Sequence, residues 1–375
     1  MRIQKLYVQD LMSGITINDI TFARLNVLVG VSGAGKTSII TALKRLVRIA
    51  EGFSDSGVDW ELSFLDDDNN DVLWTGKTSR NWDINNEGDV VASFVQEKLV
   101  VNNEQIFSSN QDGIELLGVK LPKLDDTKSL IFHLRNDKKI KKIQNSISSA
   151  VIVDVDSSDF SQSQKVTFFK ETLHNEISEF KSKFSIKKFS CSHKELSCRE
   201  KLYYAHEYDR EAFSEFQDIY TSIFSQVKSV SVRAMKTYSH GSDRERAIMI
   251  SLHLKNKRVV RQGQISSGMF KTMMILSELY FGNNKSPIII DEIENSLGVN
   301  CLPDILAELN MASNQVIITS HHPRVINEIP VRHWNIVSRS EDGSVVTKKA
   351  EDVLPKGSNH EAFLQLINSP EYKGC

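Results

Sequence analysis

Residues Gly30-Val31-Ser32-Gly33-Ala34-Gly35-Lys36-Thr37 follow the pattern G-x-x-x-x-G-K-T. Glycines at this spacing let the main chain curl until its N–H groups converge, which suits a row of phosphate oxygens. Lys36 is placed to reach the terminal phosphates of a nucleoside triphosphate, and the Thr37 hydroxyl to hold Mg²⁺. Gly30, Ser32, Gly33, Ala34, Gly35 and Ser38 complete the expected cradle. The apolar run Leu25–Val29 predicts a buried strand before the loop. After it, Ile39, Ile40, Leu43, Leu46 and Val47 share one helical face, with Lys44, Arg45 and Arg48 on the other. A strand–loop–helix context supports the phosphate reading, because the positive end of the helix adds to the anion site.

Two further stretches carry chemistry. Ser286-Pro287-Ile288-Ile289-Ile290-Asp291-Glu292 is an apolar strand that ends in two acids. Asp291 is suited to holding Mg²⁺ through its water shell, and Glu292 to accepting a proton from an attacking water. An apolar run ending in Asp-Glu is common by itself; its weight comes from the phosphate loop. Gln264-Ile265-Ser266-Ser267-Gly268-Met269 stands just before a predicted helix, with Gly268 some 23 residues ahead of Asp291. A serine helix cap explains the serines but not that distance.

With these motifs the chain resembles the ABC ATPase superfamily, whose signature loop opens a helix at this distance from the acidic strand. The resemblance implies that Ser266, Ser267 and Gly268 bind the γ-phosphate of ATP held by another subunit. It implies a switch histidine in Thr319-Ser320-His321-His322-Pro323, with His321 the better match and His322 the alternative. Glu294-Asn295-Ser296-Leu297-Gly298 takes the place of the family's D-loop, although Gly298 stands where an Asp is usual. Gln96 is the choice for the glutamine that ends a strand and reaches the metal. Ser-Ser-Gly-Met at 266–269, Glu-Ile-Glu-Asn at 292–295 and His-His-Pro at 321–323 resemble the RecF/SMC-like branch that includes the overcoming-lysogenization-defect (OLD) ATPases. The short stretch after Val337 is expected to hold no TOPRIM nuclease domain. That layout resembles the Septu and PARIS anti-phage systems, in which an ATPase stands beside a separately encoded effector.

Strands alternating with helices around the phosphate loop predict an α/β ABC ATPase head, a P-loop NTPase whose mixed sheet has a mostly parallel core. The expected partition is an N-terminal lobe over 1–150, a helical arm or lid over 151–215, a C-terminal lobe over 216–349 and a tail over 350–375. Residues 163–225 read as helical, without strand punctuation.

The bulk properties fit this reading. The chain has 375 residues, 40% hydrophobic and 25% charged, with a net charge of −2. A dedicated nucleic-acid binder is usually more basic. The clusters Lys138/Lys139/Lys141/Lys142, Lys181/Lys183/Lys187/Lys188 and Lys255/Lys257/Arg258 read first as solvated faces, which leaves DNA possible as a partner. No stretch approaches the roughly 18 apolar residues of a membrane span, and Met1-Arg2-Ile3-Gln4-Lys5 is expected to be a strand rather than a secretory signal. The four cysteines, Cys191, Cys198, Cys301 and Cys375, are scattered, as free thiols in a reducing cytoplasm would be. A site made by Cys191, His193 and Cys198 lacks an evident fourth ligand. The expectation is an ATP- and Mg²⁺-dependent ATPase that acts as a homodimer or higher homo-oligomer on a separate, nuclease-like effector. The rivals are a factor acting directly on DNA, a scaffold that binds ATP without hydrolysis, and a transporter subunit.

Overall fold

Leu25–Val29 is a strand buried along its whole length. It pairs in parallel with Val316–Ser320 on one side and with Trp334–Arg339 on the other. Ile288–Ile290 then pairs in parallel with Val316–Ser320. Buried parallel strands read as continuous apolar runs, which is why Leu-Asn-Val-Leu-Val, Ile-Ile-Ile and Val-Ile-Ile stand out in the sequence. All four strands run the same way, so their carboxyl ends share one edge of the sheet, where ligands bind in open α/β folds.

The computed structural model describes residues 1–84, 90–122, 124–153, 167–170, 184–193, 196–236, 245–295, 297, 301–354 and 359–369. The chain forms two units: 1–152 with 285–292 and 314–375, and 153–284 with 293–313. This differs from the expected partition into sequential lobes and a separate arm. Strands far apart in sequence pair in one sheet, so the boundary cuts across chain order.

The first unit carries the parallel core within a fourteen-stranded sheet. Trp334–Arg339 turns back antiparallel to Val345–Lys349, and Ile17 pairs with Val345. Beyond lies an antiparallel ladder through Arg2–Asp10, Val58–Leu65, Asp71–Thr78, Phe94–Val101 and Glu104–Asn110. Val58–Leu65 alternates buried and half-buried residues, as a strand with one covered face should. Trp60 and Trp74 meet edge to face at 5.2 Å. The helices Lys36–Ala50 and Lys138–Ser148 join the same core through Ile39, Leu43, Leu46, Ile140, Ile143 and Ile147. The α/β head with a parallel core is therefore as expected.

The second unit has its own antiparallel sheet of Thr167–Lys170, Glu245–Leu254, Val227–Lys236 and Val259–Arg261. Thr167–Lys170 corrects the helical reading of 163–225: its partner, Glu245–Leu254, lies some 75 residues away, so local pattern cannot reveal the pairing. Much of the expected arm, 154–166 and 171–183, lies outside the described residues, as do Ser296 and Gly298 of the D-loop position. The helices Cys198–Tyr208 and Arg210–Ile223 are present and pack on the helix Ser267–Phe281. A buried polar knot joins them: Lys201 Nζ donates to both Glu278 oxygens at 2.8 and 2.9 Å, and the Cys198 thiol donates to Glu278 Oε1 at 2.9 Å. Among the described residues no helix is long and apolar enough to cross a membrane.

Candidate functional site

The phosphate loop needs its glycines for two reasons. Gly33 and Gly35 have φ of +83° and +107°, a region that favours glycine. Neighbours also press on the loop: a Cβ on Gly35 would lie 2.5 Å from Val345 Cγ2, and one on Gly30 would lie 2.4 Å from the Val337 carbonyl. Both neighbours belong to the 334–349 hairpin, which therefore moulds the loop from one side. No described residue accepts a hydrogen bond from the N–H groups of Gly33, Gly35, Thr37 or Ser38. Gly35, the residue preceding the helix, offers no capping side chain. These N–H groups form the open end of a helix, which suits an anion. Lys36 is buried, and its Nζ donates to Gly30 O at 2.7 Å and Val31 O at 3.0 Å. That holds the ammonium inside the loop.

A cleft of about 500 Å³ lies over the loop, lined by Gly30 to Gly33, Gly35 to Ser38, Glu292, His321 and Arg339. Ala34 is buried beneath it. Glu292 comes after the strand Ile288–Ile290 in a left-handed conformation, φ +45°, which a non-glycine residue adopts only at a cost. Its N–H donates to Thr319 Oγ1 at 2.7 Å, which supports the turn that points it to the cleft. Asp291 is buried, and Thr319 Oγ1 donates to its Oδ1 at 2.5 Å. Asp291 Oδ2 and the Thr37 hydroxyl have no hydrogen bond from any described residue. Two oxygens of this kind fit Mg²⁺, which takes one or two protein ligands beside substrate phosphates. Among the described residues no cluster of three or more His, Cys, Asp or Glu could hold a metal by itself.

His321 lines the cleft and His322 does not; the His322 N–H is drawn back onto Ser320 Oγ at 3.0 Å. Gln96 does not reach the cleft. It lies exposed near the start of the strand Phe94–Val101, in register with Lys77, and not at a strand end. The strand begins at Phe94 because Thr78 pairs there, and it then runs on for five residues past Gln96. Ser266, Ser267 and Gly268 belong to the second unit and are not among the cleft residues. Ser266 caps the helix Ser267–Phe281, accepting weakly from the Met269 N–H at 3.4 Å. Ser266 and Ser267 are exposed, while Tyr220 OH donates to Met269 O at 3.1 Å beneath them. Lys271 Nζ donates to Asn295 O at 2.8 Å, which ties this helix to the segment after the acidic strand.

Sequence reasoning missed Thr319 and Arg339. Thr319 could have been found as the first polar residue after the apolar run Val316 to Ile318. Arg339 leaves no such signal, since an arginine at the end of a strand is ordinary.

This geometry, on this sheet, is the fold of a P-loop ATPase head of the ABC/SMC type. The chain belongs to the AAA domain family described as "putative AbiEii toxin, Type IV TA system", whose sequence model matches residues 25–327. Among solved structures it is similar to the Smc head bound to the C-winged helix domain of ScpA, at 12% identity and TM-score 0.56, over 94% of this chain and 99% of that one. It is also similar to the Smc head domain with an extended coiled coil bound to the C-terminal domain of ScpA derived from Pyrococcus furiosus, at 13% identity and TM-score 0.51, over 98% and 100%. At such identity the likeness is one of fold. No curated protein matches the chain.

Proposed function

We propose that this chain is a Mg²⁺-dependent ATP hydrolase that works as a head-to-tail dimer or higher homo-oligomer and controls a separately encoded effector. The observation that carries this reading is the single cleft in which Lys36, Thr37, Glu292 and His321 meet. The N–H groups of the loop and the Lys36 ammonium hold the triphosphate and stabilise charge that develops on its oxygens. Bound Mg²⁺ supplies further neutralisation across the phosphates; Thr37 and Asp291 are the residues that would hold it. Glu292 accepts the proton of the water that attacks the γ-phosphorus, while the bond to the leaving diphosphate oxygen breaks. His321 donates to a γ-phosphoryl oxygen. Ser266, Ser267 and Gly268 of a second copy cover that phosphate; the exposure of Ser266 and Ser267 at a helix start supports this role. ATP then favours association and hydrolysis reverses it. Light scattering tests this: Glu292→Gln is expected to dimerise with ATP and to stay monomeric with ADP, and a mass independent of nucleotide would sink the proposal.

The biological setting we propose is anti-phage defence, in the manner of the OLD, Septu and PARIS ATPases, with a nuclease-like effector encoded nearby. The resemblance of residues 266–269, 292–295 and 321–323 supports it. So does the family description, which reads "putative AbiEii toxin, Type IV TA system". Phage plating on cells carrying the chain and its neighbour is the test; protection that survives Lys36→Ala would count against it.

A second reading, direct action on DNA, is favoured by the exposed Lys138, Lys139, Lys141 and Lys142 on one helix and by the fold shared with Smc heads. A salt-dependent DNA affinity that rises with ATP would support it.

A further inference from the structure

Arg339 ends the strand Trp334–Arg339, which lies parallel to the phosphate-loop strand, with Ile336 opposite Val29. Its Nε donates to Gly33 O, in the middle of the phosphate loop, at 3.1 Å. Its Nη1 donates to Gly343 O at 3.0 Å, across the turn of its own hairpin. That turn is held in turn by Asp342, which accepts from the Ser340 hydroxyl at 2.6 Å and from the Ser344 N–H and hydroxyl at 3.1 and 3.0 Å. The guanidinium is thus anchored to two carbonyls at once and set beside the cleft that it lines. Of its five N–H donors, these bonds use two. Among the described residues no carboxylate pairs with it.

The sheet order decides which part of a nucleotide such a group can meet. Glu292 comes after a strand two places from the phosphate-loop strand, and Arg339 ends the strand adjacent on the opposite side. Their strands are three steps apart, about 14 Å at roughly 4.8 Å per step. Arg339 is also held back on its own side of the cleft by Gly33 O and Gly343 O, so a triphosphate spans the two with one end toward each. If Glu292 faces the γ-phosphate, Arg339 faces the end of the phosphate chain that stays with the nucleoside. A guanidinium with spare donors and no carboxylate partner binds an anion by charge-assisted hydrogen bonds, and the anion at that end is the α-phosphate.

We infer that Arg339 is a nucleotide-binding residue that contacts the α-phosphate and thereby holds ATP and ADP alike. This rests on the ATP-binding function proposed above. Gly33 O serves as the anchor that aims the group, so the loop and the arginine form one receptor.

Calorimetric titration of the full chain with ATP and with ADP, at two ionic strengths, tests it. Arg339→Ala is expected to weaken both nucleotides by the same factor, about tenfold, as for a lost charge-assisted contact. It is also expected to flatten the salt dependence of ADP binding. Arg339→Lys keeps the charge and is expected to recover part of both. A role confined to bracing the loop would leave the salt slope at its wild-type value, and that result overturns the inference. A loss confined to ATP, or an unchanged affinity for both nucleotides, overturns it as well. A wild-type chain that binds neither nucleotide overturns the function on which it rests.

Discussion

Thr319 holds Asp291 from the neighbouring strand, its Oγ1 donating to Asp291 Oδ1 at 2.5 Å while the same oxygen accepts the N–H of Glu292 at 2.7 Å. One hydroxyl therefore sets both acids. Valine has the shape of threonine without that hydroxyl, so Thr319→Val removes both the acceptor of the half-buried Glu292 N–H and the donor that holds Asp291 Oδ1. Misplacement of reacting groups by about 1 Å can cost about 100-fold in rate. ATP turnover measured by phosphate release is expected to fall about 10- to 100-fold, with nucleotide binding retained. Unchanged turnover would remove Thr319 from the site.

Lys36 and Glu292 should separate binding from chemistry. Lys36→Ala removes the ammonium that the loop carbonyls hold in place and is expected to abolish nucleotide binding in a calorimeter. Glu292→Gln keeps the cleft but loses the base, with an expected loss of about 100- to 10,000-fold in turnover. Wild-type turnover in Glu292→Gln would refute the general-base role.

A shared site has a signature in mixtures. Lys36→Ala and Ser266→Arg are each expected to be inactive as pure proteins. In their mixed dimer one site carries both defects and the other carries neither, so mixing should restore ATP hydrolysis. Failure of the mixture, with both variants folded, would place the signature residues outside the site.

The knot of Lys201, Glu278 and Cys198 is a structural test of the second unit. Lys201 and Glu278 side chains are 8% and 4% exposed, so removal of one leaves the other charge buried. Lys201→Met is expected to cost about 3–5 kcal/mol of unfolding free energy. The double variant Lys201→Met with Glu278→Leu is expected to recover most of it. Denaturant titration compares the two, and equal losses would show that the pair is not coupled.

Asp10 gives a pH dependence. Burial pushes its carboxyl up, but hydrogen bonds from Ser13, Arg45 and the Met12 and Ser13 N–H groups outweigh that and hold it below the usual range. Its folded value lies below its unfolded one. The stability it contributes is present above the unfolded value, near pH 4, and is lost as pH falls through the folded value. Asp10→Asn should flatten the acid limb of the melting temperature against pH, below about pH 4. An unchanged acid limb would show that the Arg45 pairing does not matter.

The phosphate loop and the acidic strand end are legible in the sequence because each is local. Gly30 to Thr37 carries its own conformational demand, and Asp291-Glu292 sits at the end of a strand whose apolar run is plain. Pattern favours His321 over His322, and His321 is the one that lines the cleft. Gln96 misled because a glutamine on a strand looks alike at its start and at its end. Only pairing with Thr78 and Lys77 tells where the strand begins.

The sequence by itself determined the chemistry of the cleft, since helix starts, glycine turns and strand-end acids arise from short-range sterics and hydrogen bonding. Tertiary structure alone decided which residues share that cleft. Gly33 and Arg339 are 306 positions apart, and no spacing rule joins them. They meet because strand register places Ile336 beside Val29 and brings the 334–349 hairpin against the glycines of the loop. Register is a property of the paired sheet and is absent from either strand taken separately.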